Sequence, residues 1–241
     1  TPFRIKLIAL ETQQHRIRLG HGPGITVDML TKGALALQPG DYQMMNRLAD
    51  KFIAQTHDVD AIHLTTSQGT DATFSIKGRS FFKDTIITPT MWGNLPPGEV
   101  TIGPIENSLD GQIVCDVAIG GIGLIDQKLI ISCQHGRVTD IKGKNEIVEK
   151  VKHALSRDEM AQIIGEFALG INPKARISAK FLESEKTYGT AHVAFGRNVD
   201  YPTGGQNTSA NHMDFLMSAP SITAISDSKA LEIVKDGKIT I

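Results

Sequence analysis

The run Ala61-Ile62-His63-Leu64-Thr65-Thr66-Ser67-Gln68-Gly69-Thr70-Asp71-Ala72-Thr73-Phe74-Ser75-Ile76 alternates apolar and polar residues on both sides of a polar break. A period of two places successive side chains on opposite faces of a strand, and Ser67 to Asp71 supplies turn-forming residues. The reading is a β-hairpin. Working back, Pro39-Gly40-Asp41 leads into Met44, Leu48, Phe52 and Ile53 at helical spacing, which predicts a helix over Asp41–Gln55 with Asp41 as its N-cap. Ile25–Gly33 reads as a short helix behind Thr26 or Asp28, His21-Gly22-Pro23-Gly24 as a loop, and Arg4–Ala9 as a short β-like run.

Beyond the hairpin, the chain is rich in strand and glycine: Val114–Ile119, Lys128–Ser132 and Arg137–Ile141 read as strands, with turns at Asp110-Gly111 and Gly120-Gly121. Helices are expected at Asn145–Leu155 and at Asp158–Phe167, the second capped by Ser156 or Asp158. After Lys180 loop and strand return, and Leu231–Ile241 reads as a closing hairpin around Asp236-Gly237. Helices and strands that mix without strict alternation predict an α+β fold with mostly antiparallel strands, not a doubly wound nucleotide fold. The expected division is a short α/β segment over 1–57 and a strand-rich site domain over 58–241.

At 241 residues, 40% hydrophobic and 21% charged, the chain can bury a full core. A net charge of -1 offers no footprint for nucleic acid or an anionic membrane, so neither is expected as a partner. Cys115 and Cys133 form no metal-binding or disulfide spacing, and no apolar run spans a membrane, which fits a cytoplasmic protein. The missing initiator Met reads as processing or trimming.

Chemistry is concentrated in the second half. In Asn211-His212-Met213-Asp214, an imidazole and a carboxylate two positions apart point the same way on an extended backbone and can hold a divalent cation together. His192 follows Gly189-Thr190-Ala191, Glu99 ends Asn94-Leu95-Pro96-Pro97-Gly98, Glu166 lies between Gly165 and Phe167, and Glu185 precedes Tyr188-Gly189. Blander readings stand beside these. Glu99 alone could be solvated, His192 could be a core histidine, and Glu183 and Glu185 beside Lys186 read as a surface charge cluster. Glu166 is placed at the buried end of the predicted second helix, where it needs metal or Arg as partner.

Taken in order, Glu99 in Asn-Leu-Pro-x-x-Glu-Val, Glu166 in Gly-Glu-x-Ala-Leu-Gly, Glu185 ahead of His192 in His-x-Ala-x-Gly, and His212-x-Asp214 resemble the thermophilic metallo-aminopeptidases of the aminopeptidase T and S type. The lead-in Thr65–Arg79 is similar as well, and the resemblance covers roughly residues 58–225. It implies an enzyme that removes N-terminal residues from peptides, with two divalent ions (Zn, Co or Mn) held by Glu99, Glu166, Glu185, His192, His212 and Asp214. Glu166 is the choice for the bridging carboxylate. The family's tyrosine beyond His192 falls on Val199, leaving Tyr201 as the expected oxyanion donor and Tyr188 as the other candidate.

Relatives of this kind carry a larger N-terminal lobe, so the chain reads as a shortened member or a fragment. Apolar surface left by the missing lobe makes a homodimer the expected assembly. Two other functions fit less well. A related ring-cleaving dihydroxypyridine dioxygenase holds one iron and has histidine where this chain has Glu166, and a truncated relative could be an inactive binding domain. The six candidate side chains should converge within about 5 Å. Burial among Ile163, Ile164, Phe167 and Leu169 is expected to raise the pKa of Glu166 when no metal is bound.

Overall fold

The computed structural model describes Leu7, Leu10 and residues 18–241 apart from Thr90, Met91, Tyr201 and Ser228. In chain order the first elements are β1 (Gly20–His21), α1 (Val27–Thr31), α2 (Pro39–Thr56), β2 (Ala61–Thr65), β3 (Asp71–Ser75), β4 (Phe82–Asp84) and β5 (Gly93–Asn94). There follow β6 (Glu99–Ile102), β7 (Asp110–Cys115), β8 (Ala118–Ile119), β9 (Gly123–Leu124), β10 (Leu129–Gln134), β11 (Arg137–Lys142) and α3 (Asn145–Leu155). The last are β12 (Ile164–Gly170), α4 (Phe181–Ser184), β13 (Thr190–Gly196), β14 (His212–Ser218), β15 (Ser221–Ser226), β16 (Lys229–Lys235) and β17 (Lys238–Ile239).

Two antiparallel sheets result, one in the order β11-β10-β7-β3-β2-β15-β16-β17 and the other β4-β6-β12-β13-β14-β8-β9, while β1 and β5 form a small parallel pair. The architecture is the expected α+β. The hairpin over 61–75 forms with Ile62 opposite Phe74 and Leu64 opposite Ala72, all buried on one face. That face meets the second sheet: the rings of Phe74 and Phe167 lie 5.0 Å apart. Helix α2 buries Met45, Ala49 and Phe52 against the same core, with Phe52 edge-on to Phe81 at 5.0 Å. The N–H of Gln38, not of a residue beyond Asp41, opens this helix and donates to Asp41 Oδ2 at 2.7 Å. Asp41 thus serves from the first turn, and Pro39 starts the helix because its missing N–H costs nothing there.

Helix α3 and the closing hairpin β16–β17 form as read. Val114–Ile119 divides instead at Asp116-Val117 into β7, in the larger sheet, and β8, in the smaller. Asp110-Gly111 lies within β7 and is not a turn; Gly111 has φ +118, and a Cβ there would meet the Asp71 carbonyl oxygen at 2.3 Å, so glycine permits β3 to approach. The Arg4–Ala9 run lies outside the described residues except for Leu7, which is helical.

The main correction concerns residues 158–167. No helix forms; turns carry the chain to β12, which holds Glu166. Every residue of β12 and β13 is buried because each strand is covered on both faces. Phe167, Leu169, Val193 and Phe195 point into the core, while Glu166, Ala168, His192 and Ala194 take the opposite face. A β-bulge at Gly165 sets this phase: Ile164 pairs with Phe195 and Glu166 with Ala194, so two steps of β12 match one of β13. Ile164 therefore joins the core although Glu166, two residues on, does not.

Candidate metal centre

The site is built on the face of the smaller sheet turned away from the core. Glu99 and Thr101 come from β6, Glu166 from β12, His192 from β13, and His212 and Asp214 from β14, four strands adjacent in the sheet. Register aligns them: Thr101 sits opposite Ala168, Ala168 opposite His192, and Ala194 opposite Asp214. Ala168 and Ala194 put small side chains between the acids and imidazoles of neighbouring strands, and Gly170, where a Cβ would meet the carbonyl oxygens of Thr187 and Glu185 at 2.3 and 2.8 Å, lets the segment that carries Glu185 come close. Glu185 enters from the end of α4.

The six candidate side chains come together in trios. Glu99–Glu166–His192, Glu166–His212–Asp214 and Glu185–His192–Asp214 overlap and each offer ligand atoms within 4.8 Å of one another, but the six do not form one group within that distance. Glu166 Oε1 is 3.9 Å from His192 Nε2, and Glu166 Oε2 is 3.1 Å from His212 Nε2. Asp214 Oδ1 lies 3.2 Å from His212 Nε2 and 4.0 Å from His192 Nε2. The Thr101 hydroxyl donates to Glu166 Oε1 at 2.5 Å. The group lines one wall of a cleft of about 650 Å³, whose other lining includes Trp92, Phe181 and Leu182.

The donor chemistry fits a divalent cation. His212 Nδ1 lies 2.7 Å from the Arg197 carbonyl oxygen, which accepts its proton and leaves Nε2 to face two carboxylates. A lone pair turned toward two carboxylate oxygens is repulsive unless a proton or a metal ion lies there. Glu99 Oε2 and His192 Nδ1 are buried and lack a hydrogen-bond partner among the described residues. Carboxylate oxygens and imidazole nitrogens together suit Zn, Co or Mn.

When no metal is bound, protons take over the role. Burial pushes the His192 pKa down, but the carboxylates of Glu166, Glu185 and Asp214 outweigh it and raise it to about 9. Asp214 and Glu166 hold His212 well above its ordinary range in the same way, again against desolvation. Glu166 is correspondingly lowered well below the usual carboxylate range: desolvation acts upward, but hydrogen bonds and charge from His192 and His212 prevail. This reverses the expected rise. On a strand Phe167 and Leu169 face away from the carboxylate, which has imidazoles for neighbours. Asp214 is lowered too, chiefly by His212 acting against burial. Glu185 goes the other way, to about 7, because desolvation exceeds the pull of Lys186 and His192.

The surface cluster read at 183–186 does not exist. Glu183, Glu185 and Lys186 are all buried, and Lys186 Nζ lies 2.7 Å from Glu185 Oε1 and 2.5 Å from Glu99 Oε1. Lys186 and Thr101 were not singled out from sequence; a Glu-Lys dipeptide next to buried strands and a Thr two residues after a candidate ligand are weak signals. Tyr201 lies outside the described residues. Tyr188 is 38% exposed and is not among the residues that line the cleft.

Four carboxylates and two imidazoles facing one another over an antiparallel sheet form a donor set suited to divalent metal ions. The family described as thermophilic metalloprotease (M29) matches residues 43–239, and the chain belongs to that family. No curated protein is matched by sequence. Among solved structures the chain is similar to 2,5-dihydroxypyridine dioxygenase from Pseudomonas putida KT2440, with 19% identity and a TM-score of 0.76 over 95% of this chain and 67% of that one. It is also similar to wild-type AmpT from Thermus thermophilus, with 20% identity and a TM-score of 0.71 over 86% of this chain and 57% of that one. At such identities the likeness is one of fold. No helix among the described residues is long and apolar enough to cross a membrane.

Proposed function

We propose that the chain is a metal-dependent aminopeptidase that removes N-terminal residues from peptides, using two divalent ions held by Glu99, Glu166, Glu185, His192, His212 and Asp214. One observation carries the two-ion reading: the oxygens of Glu166 face different imidazoles, Oε1 toward His192 and Oε2 toward His212, so one carboxylate serves two ligand groups. When bound, such ions supply an acidified water and a Lewis acid for the scissile carbonyl.

The protein's own groups do the positioning. Thr101 holds Glu166 at one oxygen, and the Arg197 carbonyl fixes the His212 ring and its tautomer. The acid-rich floor attracts the free α-ammonium of a peptide, while Trp92, Phe181 and Leu182 exclude water and give the N-terminal side chain an apolar wall. The site domain spans 58–241 in this reading, and the working form is a cytoplasmic homodimer. Ile25, Val27 and Leu30, exposed around α1, supply apolar surface for such a contact.

The fold is shared with a dioxygenase, so the ligand set has to decide between them. Mononuclear iron oxygenases favour two histidines and one carboxylate, and the four acids here favour two hydrolytic ions. The test is release of the first residue from free and from N-acetylated peptides after loading with Zn, Co or Mn, beside oxygen uptake with a dihydroxypyridine after loading with iron. Turnover confined to the free peptide supports the proposal. Equal cleavage of the acetylated peptide, oxygen uptake alone, or no turnover with any ion would remove it.

A further inference from the structure

We infer that Lys186 is a positioning residue that clamps Glu99 and Glu185, taking one oxygen from each so that each presents a single oxygen to a divalent ion. The inference rests on the metal-centre reading above. Lysine is rarely buried completely, yet the Lys186 side chain is 0% exposed. Its ammonium lies 2.5 Å from Glu99 Oε1 and 2.7 Å from Glu185 Oε1. The other oxygen of Glu99, Oε2, has no hydrogen-bond partner among the described residues and lies 3.8 Å from His192 Nε2. One carboxylate thus has an oxygen tied down and an oxygen bare, and the bare one faces the cluster.

The clamp is anchored on both sides. The Lys186 carbonyl accepts from the Asn172 N–H, and the Asn172 side-chain amide donates to the carbonyl of Pro97, two residues before Glu99. Asp84 stands opposite Glu99 across the β4–β6 ladder and adds its charge to the pull on Lys186. An ion therefore meets Glu99 and Glu185 as two acids already sharing one positive charge. Without that charge each could chelate with both oxygens, filling positions that a catalytic ion keeps open for water or substrate.

Cobalt(II) is the probe, because its visible absorption weakens when its coordination number rises. The full chain and Lys186→Met, which keeps the length of the stem without the charge, are titrated with Co²⁺ by calorimetry and absorption. Lys186→Met is expected to bind as many ions as the native chain and, with one positive charge fewer beside them and two acids free to chelate, at least as tightly, with weaker visible bands. A native spectrum would overturn the clamp at any affinity, since the coordination of the ions would then be unchanged by the loss of the ammonium. Should Lys186→Met fail to fold, Lys186→Gln keeps a donor for one acid and is expected to show the same changes in smaller degree; a native spectrum in it overturns the inference. A native chain that takes up no Co²⁺ overturns the metal-centre reading together with this one, whereas a native spectrum unaltered by the substitutions overturns the clamp alone.

Discussion

Stripped of divalent ions in EDTA, the protein should lose stability as the pH rises from about 6 to 9. His192 has its folded pKa raised from 6.5 to about 9. A raised imidazole contributes stability that is fully present below its unfolded pKa and lost as pH climbs through the folded value. The span for His192 corresponds to on the order of 3 kcal/mol, with a slope approaching 1.4 kcal/mol per pH unit. His212, also raised, steepens the same limb. Glu185, raised from 4.5 to about 7, acts in the same direction at lower pH, since the folded protein must ionise a buried acid. Glu166 and Asp214, both lowered, contribute above the unfolded carboxylate range and lose their contribution as pH falls. Maximum stability of the ion-free protein is therefore expected at about pH 4.5–5, where Glu166 and Asp214 are ionised while Glu185 and both imidazoles still hold their protons. Binding a divalent ion at pH 7.5 must expel the imidazole protons, about two per chain if both rings become ligands. Urea unfolding across pH in EDTA reads the first effect, and calorimetry in buffers of differing ionisation enthalpy reads the second. A flat stability profile from pH 6.5 to 9, or ion binding without proton release, would refute the exchange of protons for metal at this cluster.

Glu166→Gln keeps volume and removes the shared charge; it should cost one bound ion and roughly a thousandfold or more in turnover, and a variant that binds and turns over normally would end the bridging role. Thr101→Val removes the donor to Glu166 Oε1 and should weaken ion binding about tenfold by calorimetry, whereas native affinity would make Thr101 a core residue only. Phe167→Ala empties the space between Phe74 and Phe81, whose rings stand 5.0 and 6.3 Å from its own, and should lower unfolding free energy by about 3–5 kcal/mol in urea; a loss under about 1 kcal/mol would contradict the packing described. Sedimentation at micromolar concentration should show a dimer, and a stable monomer would contradict the assembly proposed from α1.

Where one face of an element meets solvent, its period could be read. The hairpin over 61–75 and helix α3 have exposed polar faces, and their bounds follow from the alternation or helical spacing. His212 and Asp214 were legible for a related reason, since an extended pair of ligands two apart needs no knowledge of the rest of the fold. Strand β12 was not. Both its faces are buried, one by the core and one by the site, so Ile164-Gly165-Glu166-Phe167-Ala168-Leu169-Gly170 shows no polar face and passes for the end of a helix. Lys186 failed in the opposite way. Charge beside charge reads as solvated surface, and only the approach of Glu99 from β6 turns it into a buried ion pair.

The bulge at Gly165 makes one position more tolerant of loss than of change. Any side chain at 165 would start with a Cβ 2.2 Å from the Gly196 carbonyl oxygen, so even alanine forces the two strands apart at the rim of the site. Deleting the residue does something gentler. Ile164 and Glu166 would become neighbours on a regular strand, one facing the core and the other the cleft, and each could keep its partner, Phe195 or Ala194, on β13. The strand could thus shorten by one residue without turning its acid inward, because the bulge already carries the extra step.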